Sequence, residues 1–106
     1  MTTPYTFFAD LAIEAPTPAR GILSQTLWNE GDVEFLLFAF AAGERLSEHT
    51  SARPAIIHIL QGEGELTVSG DTYSARPGTW LSMAPEVKHS LVAWTPMQMA
   101  LYLLPR

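Results

Sequence analysis

The sequence contains no cysteine, which excludes disulfide bonds, thiolate metal ligands and cysteine nucleophiles. A chain without cysteine fits a reducing compartment, and we expect the protein to be cytoplasmic. No apolar run approaches the roughly 20 residues that a membrane-spanning helix needs. The opening stretch MTTPYTFFADLAIEAP also lacks the basic region and apolar run of a signal peptide. We therefore expect neither export nor membrane insertion.

Charge is also scarce. Charged residues make up 16% of the chain, against roughly 25% in a typical globular domain. The 6 Lys and Arg are outnumbered by 11 Asp and Glu, so the net charge of −5 offers no basic field to nucleic acid or to an anionic membrane. Because a surface poor in charge leaves apolar area to be covered, we expect a homodimer.

Long helical patterns are missing as well, because Gly and Pro punctuate the 106-residue chain at short intervals. Its length predicts one domain, residues 1–106, in which residues 1–20 form an extended N-terminal arm. Many short β-rich runs predict an all-β sandwich or barrel of mainly antiparallel strands. The predicted strands are Gly21–Trp28, Val33–Phe40, Pro54–Leu60, Glu65–Ser69, Thr72–Ala75, Thr79–Met83, His89–Trp94 and Met97–Leu104.

Local patterns refine this picture. The alternating run Glu65–Ser69 indicates a half-buried strand, and a tight two-residue turn at Gly70-Asp71 should follow it. The run Ala55–Leu60 is apolar on both faces, so one face should pack inside and the other should meet a partner subunit or a terminal segment. We expect the large apolar residues to fill the core, namely Trp28, Trp80, Trp94, Phe35, Phe38, Phe40 and Met83.

Two segments resemble the conserved motifs of the cupins. The stretch Gly43–Ser51, continued by Ala55–Gly64, is similar to the first cupin motif, and Gly78–His89 is similar to the second. The resemblance runs from Val33 to Leu104. It implies a double-stranded β-helix, or jelly-roll barrel, of the RmlC-like type.

The resemblance also implies a metal site, although half of the usual ligands are replaced. In metal-binding cupins the first motif supplies two His and one Glu, and the second motif supplies another His. His49 matches the first His and His89 the last, whereas Ser51 and Ala55 stand where the second His and the Glu would be. The implied cofactor is a divalent iron, manganese, nickel or zinc ion held by His49 and His89, with water or a ligand completing its shell.

Side-chain parity suggests the rest of the site. If one regular strand runs from His49 to Ile59, its odd-numbered residues point inward and His58 points outward. A mostly apolar cavity with one polar end at His49, Ser51 and His89 is the usual layout of a small-molecule site. The expected pocket residues are Ser51, Ile57, Ile59, Met83 and Leu91.

Three functions follow from these patterns. The first is a cupin that binds a small-molecule ligand in its barrel, with or without a divalent metal. The second is a metal-dependent enzyme of the oxygenase or isomerase type, in which the two imidazoles hold the ion. The third is a non-catalytic dimeric scaffold.

Overall fold

A computed structural model describes residues 4–106 and shows an almost entirely β architecture. A short 3-10 helix, Leu11–Ile13, precedes the strands. The described residues form nine strands: β1 (Ile22–Glu30), β2 (Val33–Phe40), β3 (Arg45–His49), β4 (Ala55–Gln61), β5 (Gly64–Val68), β6 (Asp71–Ala75), β7 (Trp80–Met83), β8 (His89–Ala93) and β9 (Met97–Leu103). Within residues 4–106, no helix has the length and apolar character to span a membrane.

The strands form two antiparallel sheets. One has five strands in the order β1-β2-β9-β4-β7, and the other has four in the order β3-β8-β5-β6. This arrangement confirms the predicted all-β, mainly antiparallel jelly-roll fold. Strand β3 is the one strand that was not predicted, because its β-propensity does not distinguish it from the rest of the motif in which it lies.

Two hairpins show how turn residues set the register. Gly31 and Asp32 link β1 to β2 with φ values of 59° and 62°, and Ser69 and Gly70 link β5 to β6 with φ values of 49° and 85°. Positive φ at both central residues is typical of the type I′ turn, whose twist matches that of paired strands. The second turn lies one residue earlier than predicted, since Val68 pairs directly with Asp71.

The main core lies between the two sheets. On β4 the buried residues Ala55, Ile57 and Ile59 alternate with half-buried ones, so every second side chain points inward. Their partners in this cluster come from both sheets and include Phe40, Leu66, Met83, Leu91, Ala93, Met97 and Met99.

A second, smaller cluster lies on the outer face of the five-stranded sheet, beneath the N-terminal segment. Buried Ala15 packs there with Leu37 and Ala39, and half-buried Leu60 of β4 packs against them. The Gln98 side chain fixes the segment, because its Nε2 donates to the carbonyl oxygens of Ala12 at 2.7 Å and Ala15 at 2.8 Å. The outer face of β4 thus meets a terminal segment at Leu60, one of the two possibilities raised by its sequence.

The expectation that all the large apolar residues fill the core was wrong for Trp28, Trp80 and Trp94. Trp28 is only half-buried and belongs to neither apolar cluster. Trp80 is 60% exposed and Trp94 is 54% exposed. Trp80 begins the edge strand β7 on its outward face, opposite His58. Trp94 follows the end of β8, in a turn where its N–H donates to the Glu63 carbonyl oxygen. Periodicity does not reveal that a strand ends or that a sheet has an edge at these positions.

Candidate functional site

Two histidines that are forty residues apart in the chain meet across a pair of neighbouring strands. His49 ends β3 and His89 begins β8, and the two residues are direct partners in the antiparallel register. Their ring centroids lie 4.1 Å apart, with the ring planes at 57°. An irregularity in the pairing between Leu46 and His49 precedes this contact. The rings are therefore close enough to act on one atom or one small group.

Backbone carbonyl oxygens fix the protonation pattern of both rings. Nδ1 of His49 lies 2.7 Å from the Ser47 carbonyl oxygen, and Nδ1 of His89 lies 2.9 Å from that of Val87. A carbonyl oxygen only accepts, so each Nδ1 must donate a proton. In the neutral rings Nε2 then retains a lone pair. When both rings are neutral, the site presents two hydrogen-bond acceptors, which are equally two potential metal ligands.

The two imidazoles differ in exposure. His49 is exposed, whereas only 8% of His89 is accessible. Burial lowers the pKa of His89 below its ordinary value of 6.5; the hydrogen bond to Val87 opposes this shift, and the neighbouring His49 adds to it. His89 is thus neutral at pH 7, and its Nε2 lone pair is available.

A small cavity adjoins the ring pair inside the barrel. Its volume is about 40 Å³. One water needs about 10–15 Å³ of such volume, and pockets for organic ligands usually span about 300–1,000 Å³. The cavity holds a few waters or one compact group, so a larger ligand must extend past the exposed His49. It is lined by Phe38, Leu46, His49, Ile57, Leu66, His89, Ser90, Leu91, Met99 and Leu101.

Only two of the five expected pocket residues line this cavity. Ile57 and Leu91 line it, together with both histidines. Ile59 and Met83 are buried in the adjacent core and are not among its lining residues. Ser51 lies in the connection between β3 and β4, where its Oγ accepts from the Arg53 N–H at 3.2 Å.

The assumption of one regular strand from His49 to Ile59 was wrong. β3 ends at His49, and β4 begins at Ala55 in the other sheet. The connecting residues include Pro54, which has no N–H to continue a ladder. Parity therefore cannot be counted across the break, although it holds within β4, where half-buried His58 alternates with inward-facing Ile57 and Ile59.

Sequence reasoning missed several cavity residues, notably Phe38 of β2 and Met99 of β9. Both strands are apolar on both faces, so alternation does not indicate which residues face the cavity. The antiparallel register supplies this information, since Phe38 and Met99 are direct partners.

The donor set fits a metal ion only in part. No group of three or more His, Cys, Asp or Glu side chains converges within residues 4–106. The histidine pair offers two imidazole nitrogens, a donor type that suits zinc, iron and nickel. Protein sites for such ions generally supply three or four ligands. Water or a ligand would have to provide the remaining donors.

Two facing antiparallel sheets, with a histidine pair beside the cavity between them, define a small jelly-roll barrel. The family model for the cupin domain matches residues 36–104, which is more than half of the chain, and the chain belongs to the cupin family. No curated protein matches it.

Solved structures agree with this assignment. A conserved protein of unknown function from Streptococcus pyogenes is 28% identical, with a TM-score of 0.83 over 98% of this chain and 92% of that one. A cupin superfamily protein from Desulfitobacterium hafniense is 25% identical, with a TM-score of 0.86 over 97% and 94%. A salicylate 1,2-dioxygenase from Pseudaminobacter salicylatoxidans is 18% identical, with a TM-score of 0.72 over 82% of this chain and 27% of that one. This last similarity shows the fold alone.

Proposed function

We propose that this cupin binds a small molecule whose polar end is held by His49 and His89. The proposal depends on one observation: both Nδ1 atoms are engaged by backbone carbonyl oxygens, which leaves the Nε2 atom of each neutral ring as an acceptor. The centroids of the two rings lie 4.1 Å apart, and both rings line the cavity. Such a pair favours a ligand with a hydroxyl or another compact donor.

The size of the cavity limits how this ligand is placed. Only its polar head fits within about 40 Å³, and the remainder extends over the exposed His49. In this proposal Ile57 and Leu91 contact the head group as an apolar wall. The proposal also assigns Ser51, two residues after His49, to the part of the ligand outside the cavity. Ile59 and Met83, which are buried in the adjacent core, would support the apolar wall.

The proposal is tested by NMR of imidazole-labelled protein, because the chain has only 3 histidines. Compact alcohols are screened as ligands. We expect a binder to shift the Nε2 signals of His49 and His89 together and to leave His58 unchanged. His49→Ala should weaken binding by about tenfold, the value of one good hydrogen bond. The matched control is His58→Ala, and equal losses in both variants would refute the site.

A second candidate, a metal-dependent enzyme, is supported by the orientation of the rings. A ligating histidine almost always donates its other ring N–H to a carbonyl or carboxylate oxygen, and both histidines do so here. A structurally similar protein is a salicylate 1,2-dioxygenase. His49 and His89 would hold the iron, manganese, nickel or zinc ion, which would supply Lewis-acid activation of bound water or substrate. We rank this function second because the pair provides only two ligands.

Metal analysis of untagged protein distinguishes the two candidates. Stoichiometric metal that is lost in His49→Ala and retained in His58→Ala would establish the metal site. If none of these proteins contains or takes up iron, manganese, nickel or zinc, metal chemistry is excluded, while ligand binding by the imidazoles is unaffected.

We also propose that the chain is a cytoplasmic homodimer that associates through the outer face of β4 and β7. Half-buried Ile56 and His58 lie there beside Trp80, which is 60% exposed. Trp80→Glu should shift the sedimentation coefficient to that of a monomer, and Trp94→Glu, at a similarly exposed residue, should not. A wild-type monomer would refute the dimer. A dimer that binds neither ligand nor metal would favour the scaffold function.

A further inference from the structure

A larger concave site lies away from the histidine pair, on the outer face of the five-stranded sheet. There the N-terminal segment and the sheet enclose a groove of about 420 Å³, which is within the usual range of a small-molecule pocket. Five aromatic side chains and one carboxylate dominate its lining: Tyr5, Phe8, Trp28, Phe35, Tyr102 and Glu30.

The floor of the groove is a row of aromatic residues across three neighbouring strands. Phe35 of β2 pairs in register with Trp28 of β1 on one side and with Tyr102 of β9 on the other. The rings of Phe35 and Tyr102 stack with centroids 4.6 Å apart and planes at 8°. Phe35 is only 6% exposed, so it anchors the row.

A β-bulge brings Trp28 into this row. The register of β1 against β2 shifts between Thr26 and Trp28, so Leu27 is an extra residue. Without the shift Trp28 would oppose Glu34 rather than Phe35. Bulges re-aim side chains and are over-represented next to functional sites.

The wall opposite the sheet is held in place. Phe8 meets the Phe35 ring edge-on at 6.3 Å and 69°. Just beyond it, the Asp10 carboxylate accepts from the Ala12 N–H at 3.0 Å, and Gln98 donates to the carbonyl oxygens of Ala12 and Ala15. These bonds fix the N-terminal segment against the sheet, so the groove is preorganised.

The electrostatics of the groove favour a cation. Aromatic faces carry a negative quadrupole that attracts cations lying within about 6 Å of the ring centroid. Glu30 is the one charged residue among the described lining residues, and it forms no ion pair within residues 4–106. No Lys or Arg is found among the lining residues that the structure describes, so none of them competes for Glu30. The net charge of −5 also attracts cations to the protein.

We propose that this groove binds a small organic cation, specifically a quaternary or tertiary ammonium compound. The aromatic rings contact the substituted ammonium group, and the Glu30 carboxylate balances its charge. The site is separate from the histidine pair, and this inference does not depend on the function proposed there.

Fluorescence of Trp28 provides the test. The variant Trp80→Phe/Trp94→Phe leaves Trp28 as the single tryptophan, since the chain has only 3. It is titrated with choline, with tetramethylammonium, and with 3,3-dimethylbutan-1-ol, the neutral isostere of choline. We expect a saturable change with both cations, and an affinity for the neutral isostere that is lower by about tenfold or more.

Matched variants locate the binding site. Phe8→Ala should weaken choline binding several-fold, whereas Phe7→Ala should not, because Phe7 is 76% exposed and does not line the groove. Glu30→Gln should weaken binding and reduce its salt dependence, and Glu48→Gln on β3 serves as the charge control. Circular dichroism checks the fold of each variant.

Three results would overturn the proposal: no saturable response to either cation, equal affinity for the neutral isostere, or equal losses in the Phe7 and Phe8 variants. A Trp28 signal that changes with protein concentration rather than with the cation would mean that a second copy of the chain covers the groove. That result would also refute the proposal.

Discussion

At the scale of single residues, hydrogen bonds from ring nitrogens to backbone oxygens decide what the histidine pair can do. A histidine identified from sequence can be an acid, a base, a ligand or a structural donor. Here the carbonyl oxygens of Ser47 and Val87 each engage Nδ1, so both rings present Nε2. The sequence indicated that His49 and His89 belong together, but it did not indicate which nitrogen each would present.

The lowered pKa of His89 makes stability depend on pH. In the unfolded chain this residue titrates near 6.5, and burial lowers its pKa in the folded protein. Between the lowered pKa and 6.5 the unfolded state binds more protons, so the free energy of unfolding falls as the pH drops through this window. Above pH 6.5 His89 is mainly neutral in both states, so its full contribution to the free energy of unfolding is present.

Urea denaturation of chelator-treated protein between about pH 7.5 and pH 5 measures this dependence. His89→Gln should have a flatter profile than the wild type, because the titrating group is gone. His58→Gln should retain the wild-type slope. If acidification instead stabilised the wild type relative to His89→Gln, this result would contradict a lowered pKa of His89.

Gln98 is the residue most important for attaching the N-terminal segment. It is 1% exposed, and its Nε2 donates to two carbonyl oxygens of that segment. Gln98→Leu removes both bonds and leaves the buried Ala15 carbonyl without its donor, so we expect a loss of about 2–3 kcal/mol. Chemical denaturation measures the loss, and Gln25→Leu on the exposed face of β1 is the control. Equal effects in the two variants would show that the bonds contribute nothing.

At the scale of elements, the sequence predicted eight of the nine strands close to their observed positions because turn residues bound them. It could not separate β3 from β4, since both belong to one continuous motif. The break at residues 50–54 sends His49 and Ile57 into different sheets, and their side chains meet only because the sheets face each other. The bulge at Leu27 has no sequence signal either. It results from how β1 fits against β2.

Gly64 shows how closely two strands can approach. A Cβ at this position would overlap the Val92 carbonyl oxygen of the neighbouring strand β8. Gly64→Ala must push β5 from β8, and we expect a cost of about 2–3 kcal/mol. Gly70→Ala has open space but a φ of 85°, so strain alone should cost about 1 kcal/mol. Thermal unfolding compares the two variants. A smaller loss at Gly64 than at Gly70 would contradict the close packing.

At the scale of the whole molecule, the two apolar clusters are physically separate. Among residues 4–106, the main cluster between the sheets contains no residue of the N-terminal segment, whereas the outer cluster depends on Leu11 and Ala15 of that segment. The histidine pair adjoins the first cluster, and the aromatic groove lies outside the sheet with Phe8 as one wall. We therefore expect the segment to be required for the groove and not for the barrel.

Deletion of residues 1–16 tests this division. The truncated chain loses the burial of Leu11 and Ala15 and both Gln98 hydrogen bonds, so we expect it to be less stable by about 2–4 kcal/mol and still to fold. Uncovering Trp28 should shift its fluorescence to the red, and choline binding should disappear. The imidazole signals of His49 and His89 should keep their wild-type positions, because neither ring contacts the segment through any described bond. Loss of those positions in a folded truncated chain would show that the segment also supports the barrel, and the two sites would then have to be treated as one coupled system.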